Sequence, residues 1–259
     1  TSNDAVITRL PLAAADELRG ALYPNVYSMR PGYAEEAAAI AKHAEALGAR
    51  KFAVLHGTDG ESLAALDSAE RTMTSAGATL AAKAPLASAN VAASVDRVMA
   101  ARPESMLVIS DAAGAGTAIR DLRAEGFRGP IYGFYNTGES LLADQLGPNG
   151  AGVVVVRVVP KSDGAKLAVT RELQADLAQA KLGKPNVYLL EGYIAARACT
   201  EALRRSPAKD TPTRARLKKS IDALDDLSIG GFRVHFSEER IGSKLVELSL
   251  IDSQGRVRE

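Results

Sequence analysis

One cysteine, Cys199, is all that the 259 residues contain. That excludes an internal disulfide framework and a cysteine-based metal site. The three histidines, His43, His56 and His235, are too scattered to suggest a zinc site. Net charge is also lacking: 32 Lys and Arg against 31 Asp and Glu leave +1. No strong field therefore draws the chain to nucleic acid or to anionic lipid. No apolar run approaches the roughly 18 residues of a membrane span. The strongest, residues 153–156, stops at Arg157. Catalytic and nucleotide motifs are missing too. There is no GxxxxGK[ST] loop, no G-x-S-x-G elbow and no HExxH. Nothing in the sequence assembles a nucleophile, a base and an oxyanion donor, so no enzyme, no cofactor and no metal are expected.

What is present is an ordinary globule, 46% hydrophobic and 24% charged, which rules out global disorder. At roughly 150 residues per domain, the length suits one large domain or two small ones. The chain begins at Thr1 without a charged or apolar leader. Either a leader has been removed or a longer N-terminal portion is absent.

The middle of the chain repeats a helix, a glycine and an apolar strand. Residues 33–47 place Ala37, Ile40, Ala41, Ala44 and Leu47 on one helical face. Gly48 follows as a left-handed cap, then a buried strand at 51–55 (KFAVL). Helices are predicted at 61–75, 91–101, 117–125 and 139–146. Strands are predicted at 79–83, 105–110 (SMLVIS), 131–134 and 152–159 (GVVVVRVV). This alternation implies right-handed βαβ crossovers and a parallel sheet of about five strands covered on both faces. After Pro160 the pattern changes to helices at 164–182, 188–205 and 213–224, the last with Thr211 or Pro212 near its start. Strands follow at 231–236 and 244–251. The class is α/β with two lobes.

Ligands of open parallel sheets sit beyond the carboxyl ends of the strands. KFAVL runs into His56-Gly57-Thr58-Asp59-Gly60, SMLVIS into Asp111 and a Gly114-Ala115-Gly116 segment, and IYGF into Tyr135-Asn136. Each loop opens a helix, so N–H groups and a positive helix end face one crevice. Asp59 and Asp111 could hold an ammonium, amide or hydroxyl, or each could cap its helix. Gly114-Ala115-Gly116 lacks the third glycine of a dinucleotide fingerprint and reads as a tight strand-to-helix turn. His56 reads as a structural or rim histidine. Cys199 reads as a small buried apolar residue in its helix.

Several segments together resemble a known family. They are Asn25-Val26-Tyr27 with Arg30 and Tyr33-Ala34-Glu35-Glu36; KFAVLHGTDG; Ala124-Glu125-Gly126-Phe127 before IYGF; GVVVVRVVP; Leu190-Glu191-Gly192-Tyr193 with its following Ile-Ala-Ala-Arg; and Ile229-Gly230-Gly231-Phe232-Arg233-Val234-His235-Phe236. In order and spacing the chain resembles type I periplasmic solute-binding proteins of ABC importers, in the branched-chain amino-acid branch. The resemblance implies Rossmann-like parallel sheets flanked by helices in two lobes. Residues 1–25 with 157–243 form one lobe, and 26–156 with 244–259 the other. Family members carry about a hundred further N-terminal residues, and residues 6–19 look like the stretch that closes that part. The first lobe is therefore expected to be incomplete.

The resemblance also implies ligand contacts at Asp59, Asp111, Tyr135 or Asn136, and Tyr188, which stands where an aromatic reaches the cleft. Asp59 replaces an aromatic. Ala13-Ala14 replaces the hydroxyl or glycine that would help hold an α-carboxylate. The amino-acid site is thus not reproduced, and a ligand with a donor or cationic group is favoured over a simple carboxylate. The implied function is periplasmic: binding a small solute between the lobes and presenting it to an ABC permease, without nucleic acid or a membrane span. The same fold also serves sensing domains of receptors and regulators, and fold alone does not decide between them.

Overall fold

The computed structural model describes residues 8–9, 14–19, 23–86, 91–206, 213–236 and 240–259. The expectations placed on Ala13, Thr211 and Pro212, and on residues 6–7 and 10–13, lie outside them. The chain divides into two compact units, Thr1–Pro31 with Val158–Leu245 and Gly32–Arg157 with Val246–Glu259.

Two short strands come first, β1 (Thr8–Arg9) and β2 (Val26–Tyr27). The βαβ series follows: α1 (Tyr33–Ala46), β3 (Lys51–His56), α2 (Gly60–Ser75), β4 (Thr79–Pro85), α3 (Val91–Ala100) and β5 (Ser105–Ile109). It continues through α4 (Ala112–Ala124), β6 (Ile131–Gly133), α5 (Glu139–Leu146) and β7 (Val153–Arg157). Then come α6 (Ala168–Gln179), α7 (Val187–Arg205), α8 (Arg214–Asp222), β8 (Leu227–Ile229) and β9 (Phe232–Val234). The chain closes with β10 (Glu247–Ile251) and β11 (Val257–Arg258).

In the larger unit the sheet order is β11-β10-β7-β6-β5-β3-β4. The five strands from β4 to β7 are parallel, as the repeat predicts; β10 runs antiparallel to β7, and β11 antiparallel to β10. The parallel strands need cover on both faces because almost every residue is apolar. Ala53, Leu55, Met106, Val108, Ile131, Val153 and Val155 form one core with α3, α4 and α5. Alternate residues Phe52, Val54, Leu107 and Tyr132 are equally buried and belong to the opposite face. There α1 and α2 pack together, and α1 turns inward Ala37, Ile40, Ala41 and Ala44, the helical face read from the sequence except for Leu47, which caps the helix and is exposed. Register puts Glu247 opposite Arg157 across β10 and β7. The buried Arg157 guanidinium pairs with Glu247 and, at 3.1 Å, with Glu259.

The smaller unit pairs β1 with β2 in parallel and β8 with β9 in an antiparallel hairpin. Tyr27 is its polar anchor. The buried ring meets Phe236 edge to face at 5.5 Å. Its hydroxyl donates to Asp222 at 2.5 Å and accepts from Lys218 at 3.0 Å, so β2 is tied to α8.

Several boundaries differ from the sequence reading. Helix α4 starts at Ala112, not 117, because Asp111 caps it directly after β5. Gly114 and Gly116 are therefore helical, not a turn. A Cβ on Gly114 would lie 2.2 Å from Ser110 Oγ, so a larger residue there would have to turn that hydroxyl aside. Helix α6 begins at Ala168, not 164. The single Thr170 hydroxyl proton is shared between Gly164 O and Leu167 O, at 2.7 and 2.8 Å, and this local bonding holds the preceding segment in a turn. Strand β8 was not anticipated; its three residues are too short for a period to show.

The β8–β9 turn gives a test. Gly230 has φ +53°, and a Cβ there would lie 2.4 Å from the backbone N of Val169, the N–H that donates to Gly230 O at 3.1 Å. Gly192, inside α7, has open space around its Cβ position. Gly230→Ala is expected to destabilise by more than about 2 kcal/mol. Gly192→Ala is expected to stabilise by up to about 1 kcal/mol. Denaturant titration of both variants checks the pair, and equal effects would contradict this packing.

Candidate functional site

The winding of the larger sheet reverses between two neighbours. From β3 the chain passes through α2 outward to the edge strand β4. From β5 it passes through α4 to β6 on the other side. The loops leaving β3 and β5 therefore lead to opposite sides, and their carboxyl ends mark the switch point where open α/β sheets take ligands. Asp59 follows β3, Asp111 follows β5, and Tyr135 and Asn136 follow the adjacent β6. The structure thus brings four of the five sequence-predicted residues to the ends of three neighbouring strands. The fifth, Tyr188, lies in the first turn of α7, in the other unit.

Hydrogen bonds tie these loops together. Gly57 N–H donates to Ile109 O at 2.8 Å, joining the first loop to the end of β5. Thr137 Oγ1 donates to Ser110 O at 3.1 Å, joining the third loop to the second.

Both aspartates cap helices. Asp59 Oδ1 accepts from Ser62 N–H at 2.9 Å, and Oδ2 accepts from the Ser62 hydroxyl at 2.6 Å. Both oxygens are thus engaged at the start of α2, and the Ser62 bonds hold the carboxyl below its ordinary value. Asp111 Oδ1 accepts from Gly114 N–H at 2.8 Å. Its side chain is exposed, and it stands at the rim beside the positive end of α4.

The third loop is held differently. Residues Tyr135–Thr137 make one 3₁₀ turn, and the residue before it, Phe134, has no side-chain oxygen to cap with. Instead Tyr135 N–H donates to Glu36 Oε2 at 2.8 Å, a bond across 99 positions of chain. Glu36 lies in the first turn of α1 and is fully buried. From the same turn, the buried Tyr33 donates its hydroxyl to Glu61 Oε1 at 2.6 Å, in the first turn of α2. Sequence reasoning missed both. The signal was Glu36 itself, an acid in register with the apolar face Ala37, Ile40 and Ala44.

The remaining residues fall as follows. Tyr135 is buried, 1% exposed, and packs under its loop. Asn136 and Tyr188 are half-buried. His56 Nδ1 stands 2.8 Å from Gly57 O; a carbonyl only accepts, so Nδ1 carries the proton. Cys199 is half-buried on α7. Among the described residues, no three His, Cys, Asp or Glu gather to hold a metal, and no helix is long and apolar enough to cross a membrane.

Comparison with known proteins follows this geometry. The family described as periplasmic binding protein matches residues 4–241. No curated relative matches the chain. An extracellular ligand-binding receptor from Verminephrobacter eiseniae superposes with TM-score 0.86 at 24% identity, over 96% of this chain and 72% of that one. A substrate-binding periplasmic protein from Ralstonia solanacearum gives 0.84 at 25%, over 96% and 71%. A branched-chain amino acid ABC transporter protein from Thermus thermophilus, with bound valine, gives 0.86 at 15%, over 96% and 70%.

The Asp59 cap has a pH signature. Its folded value is lowered beneath the ordinary 3.8. The stability it contributes is therefore complete above the unfolded value and is lost as pH falls through the folded one. Asp59→Ala should cost about 1 kcal/mol at neutral pH. That difference should shrink as pH falls below the unfolded value. Urea titrations of both proteins at neutral pH and at about pH 2.5 check it. A difference independent of pH would show that the charge on Asp59 contributes nothing.

Proposed function

We propose that this chain, which belongs to the periplasmic binding protein family, binds a small solute at the carboxyl ends of β3, β5 and β6 and delivers it to an ABC permease. The observation that carries the proposal is the reversal of winding between β3 and β5, with three tied loops at the crevice it opens. The neighbour from Thermus thermophilus holds valine, and an amino acid, its amide or a related amphipathic molecule is the solute class proposed. The location is periplasmic, as the family's description implies.

Roles divide by geometry. Asp59 spends both oxygens on its own helix, so it shapes its loop. Asp111 keeps an oxygen beyond its cap bond and is exposed, which suits it to meet an ammonium or amide donor. Asn136, half-buried after β6, is the further candidate contact, whereas Tyr135 is buried and supports its loop from beneath; Tyr188 stays a candidate from the sequence resemblance alone. A second reading, a ligand-sensing domain of a receptor, draws on the neighbour described as an extracellular ligand-binding receptor.

Calorimetric titration with L-leucine, L-valine, their amides and their deaminated acids tests this proposal. Asp111→Ser keeps a capping oxygen, so the unliganded thermal midpoint should hold. Losing the charge should weaken the amino acid and the amide about tenfold or more. Tightest binding to the deaminated acid would overturn the role given to Asp111. Binding of none of the probes would overturn the solute class.

A further inference from the structure

We propose that Glu36 is a positioning residue for the solute site: it holds the Tyr135–Thr137 turn in place from α1. This rests on the reading that the turn belongs to the ligand site. Three strands end in the crevice, and the turn after each presents an N–H of its first turn to a carboxyl oxygen. After β3 and β5 that oxygen is local, from Asp59 to Ser62 and from Asp111 to Gly114. After β6 no local capping side chain exists, and Glu36 supplies the oxygen at 2.8 Å.

The position argues against packing as the reason for an acid. Glu36 is fully buried among the inward residues Tyr33, Ala37 and Ile40 of α1. An apolar side chain there would match its neighbours, and burying a carboxyl group is costly unless polar partners compensate. The partner shown is the amide of Tyr135, the residue at which β6 turns into the crevice. A second bond from the same helical turn, Tyr33 to Glu61 at 2.6 Å, reaches the start of α2, beside the Asp59 loop. The first turn of α1 thus braces the loops after β3 and β6, while Thr137 ties the latter to Ser110. These are the first residues after the chain enters the larger unit at Gly32.

The test separates positioning from binding. Amide hydrogen exchange is measured on the unliganded wild type, Glu36→Ala and Glu36→Gln. In Glu36→Ala the Tyr135 amide should exchange about tenfold to a hundredfold faster, while amides of β3 and β5 keep their protection. Glu36→Gln retains an acceptor oxygen and should restore most of the protection. In calorimetry, whichever of L-leucine, L-valine or their amides binds the wild type should bind Glu36→Ala about tenfold or more weakly, with Glu36→Gln between. Unchanged exchange at Tyr135 in Glu36→Ala, or faster exchange with unchanged affinity, overturns the proposal. If the wild type binds none of the probes, the solute class fails, and the exchange data alone decide whether Glu36 sets the turn. General loss of protection in Glu36→Ala transfers the decision to Glu36→Gln, whose Tyr135 amide must then exchange faster than the wild type's while β3 and β5 stay protected.

Discussion

A parallel strand can be reached only by a crossover, and a crossover in a twisted sheet is right-handed. That constraint places most of the larger unit. The chain goes outward from β3 to β4 and then must return past β3 to reach β5. The first crossover puts α2 on one face, with α1. The return and the steps that follow put α3, α4 and α5 on the other. Both faces of the sheet become buried, which its strands require: β5 and β7 are buried at every residue. The same reversal parts the loops after β3 and β5. Covering the sheet and parting these loops are one topological event.

A crevice lined by strand ends and helix starts has a polar problem. The first N–H groups of each helix or turn lack partners within the element. Here carboxyl oxygens meet part of that demand: Asp59 at α2, Asp111 at α4 and Glu36 at the turn after β6. The acids at this end of the sheet are therefore first a structural requirement of the fold. Asp111, whose carboxylate is exposed, makes a single cap bond. That difference in occupancy, not the shared residue type, distinguishes the two aspartates.

Legibility in the sequence followed the range of each interaction. The alternation of helix and strand, the α/β class and the inward face of α1 could be read because apolar periodicity is local. The capping alternative for Asp59 and Asp111 could be read for the same reason, since an N-cap acts within three residues. The start of α4 was misplaced because two glycines in its first turns imitate a loop. The Asp111 cap, whose carboxylate accepts from Gly114 N–H, is what draws them into the helix. Strand β8 was missed because three residues carry no period.

By itself, then, the sequence determined the repeating units, the residues that end each strand and the chemistry available there. Tertiary structure alone decided how those ends are shared. Strand order set which loops are neighbours, and two bonds from α1 set how the loops are braced. Glu36 and Tyr135 are 99 residues apart. No local propensity links them, because the amide that Glu36 serves becomes a buried donor only after β6 has taken its place beside β5.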